Sequence, residues 1–78
     1  MPTFTASEKA VALSKAQREV DLVAEAEDIA ELHRQKSWAR AYASALVHVG
    51  ALTSDEQGRL EGQILRTSEM RLDELDAR

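Results

Sequence analysis

Very few residues of this chain interrupt a helix. The sequence has three glycines and one proline among its 78 residues, and the stretch from Ala6 to Val49 contains neither residue type. Glycine and proline weaken an α-helix most, whereas alanine, leucine, glutamate, lysine and arginine favour it. The sequence therefore predicts an all-α protein built from long helices.

Two segments of similar sequence predict where helices begin. Thr5-Ala6-Ser7-Glu8 and Thr53-Ser54-Asp55-Glu56 both have the spacing of a capping box, in which a threonine hydroxyl and a glutamate carboxylate bind free amides at the helix start. Gly50 precedes the second segment and suits the left-handed conformation that ends many helices. A metal-binding acidic loop would need more oxygen ligands around a central glycine. We therefore interpret residues 49–57 as a corner between two helices.

The predicted architecture is a long antiparallel helical hairpin that forms a single domain over residues 1–78. Its first helix spans residues 6–49 and would be about 65 Å long, and its second spans residues 54–76 and would be about 34 Å long. Ser37 is the one weak point of the first helix, because serine readily caps a new helix. A break near Ser37 would give a three-helix bundle instead, and we keep that alternative.

The apolar residues of the predicted first helix fall into two stripes when they are placed about 100° apart. The shorter stripe, from Ile29 to Leu46, faces the second helix of the hairpin, whereas the longer stripe has no partner within the chain. A second copy is the simplest cover, since symmetric homodimers are the commonest small oligomers. We therefore predict a homodimer with coiled-coil-like packing, whose interface consists of Leu13, Ala16, Val20, Val23, Ala24, Trp38, Tyr42, Ala45 and Val49.

The corner also sets a register between the two predicted helices. Leu60 then lies opposite Ala43, and Ile64 lies opposite Ala39. Three ion pairs are predicted in that register: Arg34 with Glu69, Glu31 with Arg71, and Glu25 with Arg78. We expect these pairs to report the alignment of the helices, since an exposed pair contributes only about 0–1 kcal/mol.

Composition limits the environment and the core of the protein. The absence of cysteine excludes a disulfide framework and a thiolate zinc site, and it suits a reducing cytoplasm. Alanine supplies 13 of the 34 apolar residues, so a lone monomer would have a marginal core. No apolar run approaches the roughly 18 residues of a membrane span, and the first residues lack the pattern of a signal peptide. We therefore expect a cytoplasmic protein without a membrane segment.

Catalytic chemistry has little support in the sequence. His33 and His48 lie fifteen residues apart, and neither has an adjacent acid that would orient it in a triad. Helical bundles that bind two metal ions use a Glu-x-x-His pattern, but alanine stands three residues before each histidine. We therefore predict no enzyme, with no catalytic, metal-binding or cofactor-binding residue.

Charged and aromatic residues supply the candidates for partner binding. The segment from Asp21 to Glu31 is acidic, whereas residues 32–49 carry three bases and no acid. Both segments are typical of solvated helix surfaces, and Trp38 with Tyr42 is typical of a core or dimer interface. Protein interfaces nevertheless favour tryptophan, tyrosine and arginine. The partner-binding candidates are Arg34, Trp38, Arg40, Tyr42, Asp21, Glu25 and Asp28.

The function favoured by these patterns is that of a non-enzymatic helical protein that homodimerises and binds another protein to regulate or inhibit it. Size and composition, with no motif, suggest an accessory protein such as those carried by phages and other mobile elements. One alternative is a nucleic-acid-linked role, through mimicry of DNA by the acidic helix or weak phosphate contact by residues 33–40. Direct nucleic-acid binding is disfavoured by the net charge of −4. A further alternative is a subunit or assembly factor of a larger complex.

Overall fold

The computed structural model describes residues 4–77 and contains three α-helices in that range. They are α1 (Ala6–Ala24), α2 (Ile29–His48) and α3 (Ser54–Asp76), and each helix packs against both of the others. The resulting bundle is elongated, with extents of 49 × 18 × 17 Å. The all-helical prediction is confirmed, and α3 has the predicted bounds.

The prediction of one helix over residues 6–49 is wrong, because the chain turns at residues 25–28. At the end of α1, the amides of Glu25 and Ala26 bind the carbonyl oxygens three residues earlier, at 3.1 and 3.4 Å. Asp28 then caps α2, since its carboxylate accepts a hydrogen bond from the Glu31 amide at 2.7 Å. The three-helix alternative has the right number of helices in this range, but its break near Ser37 is also wrong. Ser37 lies inside α2.

The buried core consists mostly of small side chains. Among the described residues, half of the buried apolar side chains are alanine, and the largest fully buried ones are Leu32, Ile64 and Val23. All three helices and both turns contribute to this core: Ala12, Ala16, Val20, Val23, Ala26, Leu32, Ala39, Ala43, Ala51, Leu52, Leu60 and Ile64. A core of alanines permits close helix approach, but each alanine contributes little burial of apolar area.

The corner between α2 and α3 has the predicted geometry. Gly50 adopts a φ of 83°, its amide binds the Val47 carbonyl oxygen at 3.0 Å, and the Ala51 amide binds the Leu46 carbonyl oxygen at 2.8 Å. This pair of bonds is a Schellman motif, which ends a helix by satisfying its last free carbonyls. Leu52 follows the motif and is buried in the core.

Both predicted capping boxes are confirmed. The Thr5 hydroxyl accepts a hydrogen bond from the Glu8 amide, and the Glu8 carboxylate accepts one from the Thr5 amide at 3.0 Å. Thr53 and Glu56 repeat the arrangement at the start of α3. The hydrogen bond from the threonine amide lowers the pKa of each glutamate most, and the bond with the threonine side chain lowers it further, because both stabilise the charged carboxylate.

Long-range polar contacts fix the helices relative to one another. Gln35 of α2 donates from Nε2 to the Glu19 carboxylate of α1 at 3.1 Å. Arg40 of α2 lies 3.9 Å from the Glu61 carboxylate of α3, both side chains being exposed. This pair lies within two residues of the predicted register.

The predicted ion pairs themselves have a different outcome. Within residues 4–77, Arg34 with Glu69 and Glu31 with Arg71 are not among the ion pairs closer than 4 Å. Arg71 instead donates to the carbonyl oxygen of Ala26, because the turn before α2 brings that oxygen within its reach. The pair of Glu25 with Arg78 lies outside the described residues.

Candidate protein-binding face

The predicted dimer-interface residues do not form one surface. Ala16, Val20 and Val23 are buried in the core of the chain itself, because α1 folds back and packs on α2 and α3. Leu13 is 38% exposed and lies at the groove between α1 and α3. Ala24 is exposed at the end of α1. The excess apolar face expected on the first helix is therefore largely covered within the chain.

The α2 part of the predicted stripe remains at the surface. Trp38 is 59% exposed and Val49 is 53% exposed, whereas Ala45 is exposed and Tyr42 half-buried. Their spacing places them on one side of α2. Trp38, Ala41, Tyr42 and Ala45 line a shallow hollow of about 190 Å³ on this side.

A larger groove adjoins the hollow, between the start of α1 and the end of α2. Its volume is about 400 Å³, and it is lined by Phe4, Ser7, Glu8, Val11, Ala12, Lys15, Tyr42 and Leu46. Tyr42 lines both depressions, so they form one continuous surface. We call this surface the aromatic face and define it by its apolar members, Phe4, Val11, Trp38, Ala41, Tyr42, Ala45 and Val49.

The aromatic face holds every aromatic side chain of the chain. Sequence patterns identified Trp38, Tyr42, Ala45 and Val49 of this face, but they missed Phe4, Val11 and Ala41. Val11 is 53% exposed and reaches this face only because α1 reverses onto α2. No local pattern around Val11 signals that contact.

A larger share of the residues that line the other two interhelical grooves is polar or charged. The groove between α2 and α3 is lined by Lys36, Arg40, Glu61, Ile64 and Leu65. The groove between α1 and α3 is lined by Leu13, Gln17, Glu56, Arg59, Leu60 and Gln63. Ser7, Glu8 and Lys15 are a minority of the residues that line the aromatic face, and it is therefore the most apolar of the three.

The charged partner-binding candidates are spread over the bundle. Arg40 lies in the α2–α3 groove, so it is separated from the aromatic face, and Arg34 is exposed on α2. Asp21 is exposed and accepts a weak hydrogen bond from Gln17. Glu25 occupies the C-cap of α1 and Asp28 the N-cap of α2. Asp28 therefore has a structural role that the sequence reading did not assign to it.

One end of the bundle is acidic. The turn between α1 and α2 lies beside the last turns of α3, because Arg71 reaches the Ala26 carbonyl oxygen at 2.7 Å. Acidic residues of both segments therefore lie at the same end of the bundle, together with Arg71, whose guanidinium is 3.9 Å from the Glu74 carboxylate. We call this region the acidic end, and it comprises Asp21, Glu25, Glu27, Asp28, Glu31, Asp73, Glu74 and Asp76.

Two further observations concern other kinds of site. Within residues 4–77, no three histidine, aspartate or glutamate side chains are grouped so that they could hold a metal ion. No helix of that range has the length and apolar character needed to cross a membrane.

Comparison with protein-family models, with curated proteins and with solved structures finds no match for this chain. The functional assignment therefore depends on the surfaces described above.

Proposed function

We propose that this chain is a non-enzymatic protein that self-associates through the aromatic face and binds another protein, whose activity it regulates. The observation that carries the proposal is the position of the bulky side chains. Alanine supplies half of the buried apolar residues described, whereas Trp38 is exposed and Tyr42 and Phe4 are half-buried on one face. Tryptophan and tyrosine contribute most of the binding energy at many protein interfaces.

The acidic end supports the binding of a second, different protein. It lies at the turn between α1 and α2, whereas the larger groove of the aromatic face lies at the other end of those helices. A dimer formed through the aromatic face would therefore leave its two acidic ends free. Electrostatic complementarity accelerates association with a basic partner and helps to select it. A heteromeric subunit or assembly factor would instead use the aromatic face for a different chain.

Sedimentation equilibrium tests the self-association directly. We expect a dimer over about 1 to 100 µM and a dissociation constant that rises at least tenfold in Trp38→Ala. Leu65→Ala is the matched control, because Leu65 is 50% exposed on α3 outside the aromatic face. A wild-type chain that stays monomeric throughout this range would reject self-association. Native mass spectrometry with a candidate partner would show whether heteromers replace the dimer.

The acidic end also favours a second candidate function, mimicry of DNA. Acids from two segments that are distant in the sequence lie at this one end of the bundle, near Arg71. In a test, the chain is titrated into a labelled complex of DNA with a basic DNA-binding protein. Salt-sensitive release of the DNA supports mimicry. Release that is unchanged in the double variant Glu27→Gln, Asp73→Asn argues against mimicry.

A further inference from the structure

We propose that a second copy of the chain docks antiparallel on the aromatic face, with the two-fold axis beside Val11. This inference rests on the proposed self-association and specifies its geometry. In such a dimer the two-fold axis is perpendicular to the helices. The α1 helix of one copy lies against α1 of the other, α2 lies against α2, and each copy contributes the same residues.

The relative heights of α1 and α2 locate the centre of the interface. Gln35 contacts Glu19, and the two helices run in opposite directions. Counting eight residues back along α1 and eight forward along α2 places Val11 level with Ala43. The groove agrees with this alignment, because Val11 and Ala12 line it together with Tyr42 and Leu46.

The charges at the edge of the groove are arranged symmetrically about this level. Glu8 lies three residues before Val11, and Lys15 lies four residues after it. A two-fold axis beside Val11 therefore brings Glu8 of each copy to Lys15 of the other. Both side chains are exposed. The capping bond occupies only Oε1 of Glu8, so its second carboxylate oxygen faces no capping amide.

The apolar residues of α2 show the same symmetry. Trp38 and Val49 lie at similar distances on either side of Ala43, as do Tyr42 and Ala45. The axis therefore places the large Trp38 against the smaller Val49 of the other copy, and Tyr42 against Ala45. Alternation of large and small side chains across an interface permits close packing.

A parallel dimer is disfavoured by the same residues. With the axis along the helices, α1 of one copy would face α2 of the other, so that Glu8 would lie at the level of Leu46 and Lys15 at the level of Ala39. Neither charge would then meet an opposite charge, and the complementarity that favours an interface would be lost. The stripe from Trp38 to Val49 is about 17 Å long, which predicts a small interface. We expect a dissociation constant in the micromolar range.

Cysteine cross-linking tests the position of the axis, because the chain contains no native cysteine. Val11→Cys places a thiol beside the axis, so the two copies should form a disulfide-linked dimer under mild oxidation at micromolar concentration. Ser14→Cys is the matched control, since Ser14 is exposed and lines a depression on the neighbouring side of α1, outside the aromatic face. We expect at least a fivefold lower yield of covalent dimer from Ser14→Cys.

Charge reversal tests the pairing of Glu8 with Lys15. Lys15→Glu should raise the dissociation constant roughly three- to tenfold, whereas Arg66→Glu, an equal charge change on α3, should leave it unchanged. Glu8→Gln keeps an oxygen acceptor for the capping bond but removes the charge. In a Glu8→Gln background, the effect of Lys15→Glu should therefore be at least halved.

The outcomes separate this geometry from self-association itself. If the wild-type chain dimerises but Val11→Cys and Ser14→Cys cross-link equally, the antiparallel docking is rejected and self-association stands. An effect of Lys15→Glu that is unchanged by Glu8→Gln also rejects the pairing. A wild-type chain that remains monomeric at about 100 µM overturns both proposals.

Discussion

Arg71 donates a hydrogen bond from Nε to the carbonyl oxygen of Ala26 at 2.7 Å, across 45 positions of the sequence. Ala26 is fully buried in the turn between α1 and α2. A buried carbonyl oxygen without a partner is costly, so this bond satisfies a group that the turn would otherwise leave unpaired. It also fastens α3 to the turn that reverses the chain.

We expect Arg71→Met to lower the free energy of unfolding by about 1–3 kcal/mol. Methionine retains an apolar stem of similar reach but cannot donate to the Ala26 carbonyl oxygen. Urea unfolding followed by circular dichroism provides the measurement. Arg66→Met is the control, because Arg66 is exposed on the same helix. Equal effects of the two substitutions would show that the bond contributes nothing to stability.

The N-cap of α2 should contribute measurably to stability. Asp28→Ala removes the acceptor of the Glu31 amide and is expected to cost about 1 kcal/mol, whereas Asp28→Asn should cost much less. Asp21→Ala serves as the control, since Asp21 is an exposed acid of the same region. If Asp28→Ala is as mild as Asp21→Ala in thermal unfolding, the cap does not define the start of α2.

Two glycines should respond in opposite directions to alanine. Gly50 has a φ of 83°, which alanine adopts at a cost, so Gly50→Ala should destabilise the chain by about 1 kcal/mol. Gly58 lies within α3, and a Cβ there would meet nothing within 4 Å. Gly58→Ala should therefore stabilise it by up to about 1 kcal/mol. Chemical unfolding of both variants checks the signs, and a stabilising Gly50→Ala would contradict the corner geometry.

Acid should weaken the capping boxes. The pKa values of Glu8 and Glu56 are lowered in the folded chain, so their contribution is present above the ordinary glutamate pKa of 4.5. It is lost as the pH falls through the lowered values. We expect the double variant Glu8→Gln, Glu56→Gln to lose less stability than the wild type below this pH. Thermal unfolding at about pH 7 and pH 3 makes the comparison, and parallel losses would contradict it.

Local signals predicted the helix ends well, because a cap involves residues only a few positions apart. Thr5, Thr53 and Gly50 were identified for this reason. Asp28 and Glu31 have a similar spacing, but they lie in an acidic segment and were interpreted as part of a charged helix face. The turn before α2 was therefore missed. The two apolar stripes also indicated this turn, because a chain reversal changes which face of a supposed single helix is apolar.

The candidate site was only partly accessible from the sequence. Trp38 and Tyr42 share one side of α2, so helical spacing alone placed them together. Val11, Phe4 and Lys15 join them only after α1 folds back on α2, and that contact depends on the turn at residues 25–28. An error in one turn therefore moved Val20 and Val23 from the core to a supposed surface and hid the part of the aromatic face that Phe4 and Val11 form.

The single tryptophan of the chain is Trp38, and its indole lies mostly in solvent. Its intrinsic fluorescence should consequently change little when the bundle melts in dilute solution. Docking of another molecule would instead transfer the indole from water to an apolar environment and shift its emission to shorter wavelength. The chain thus contains a natural optical probe that distinguishes occupancy of this side of α2 from loss of tertiary structure.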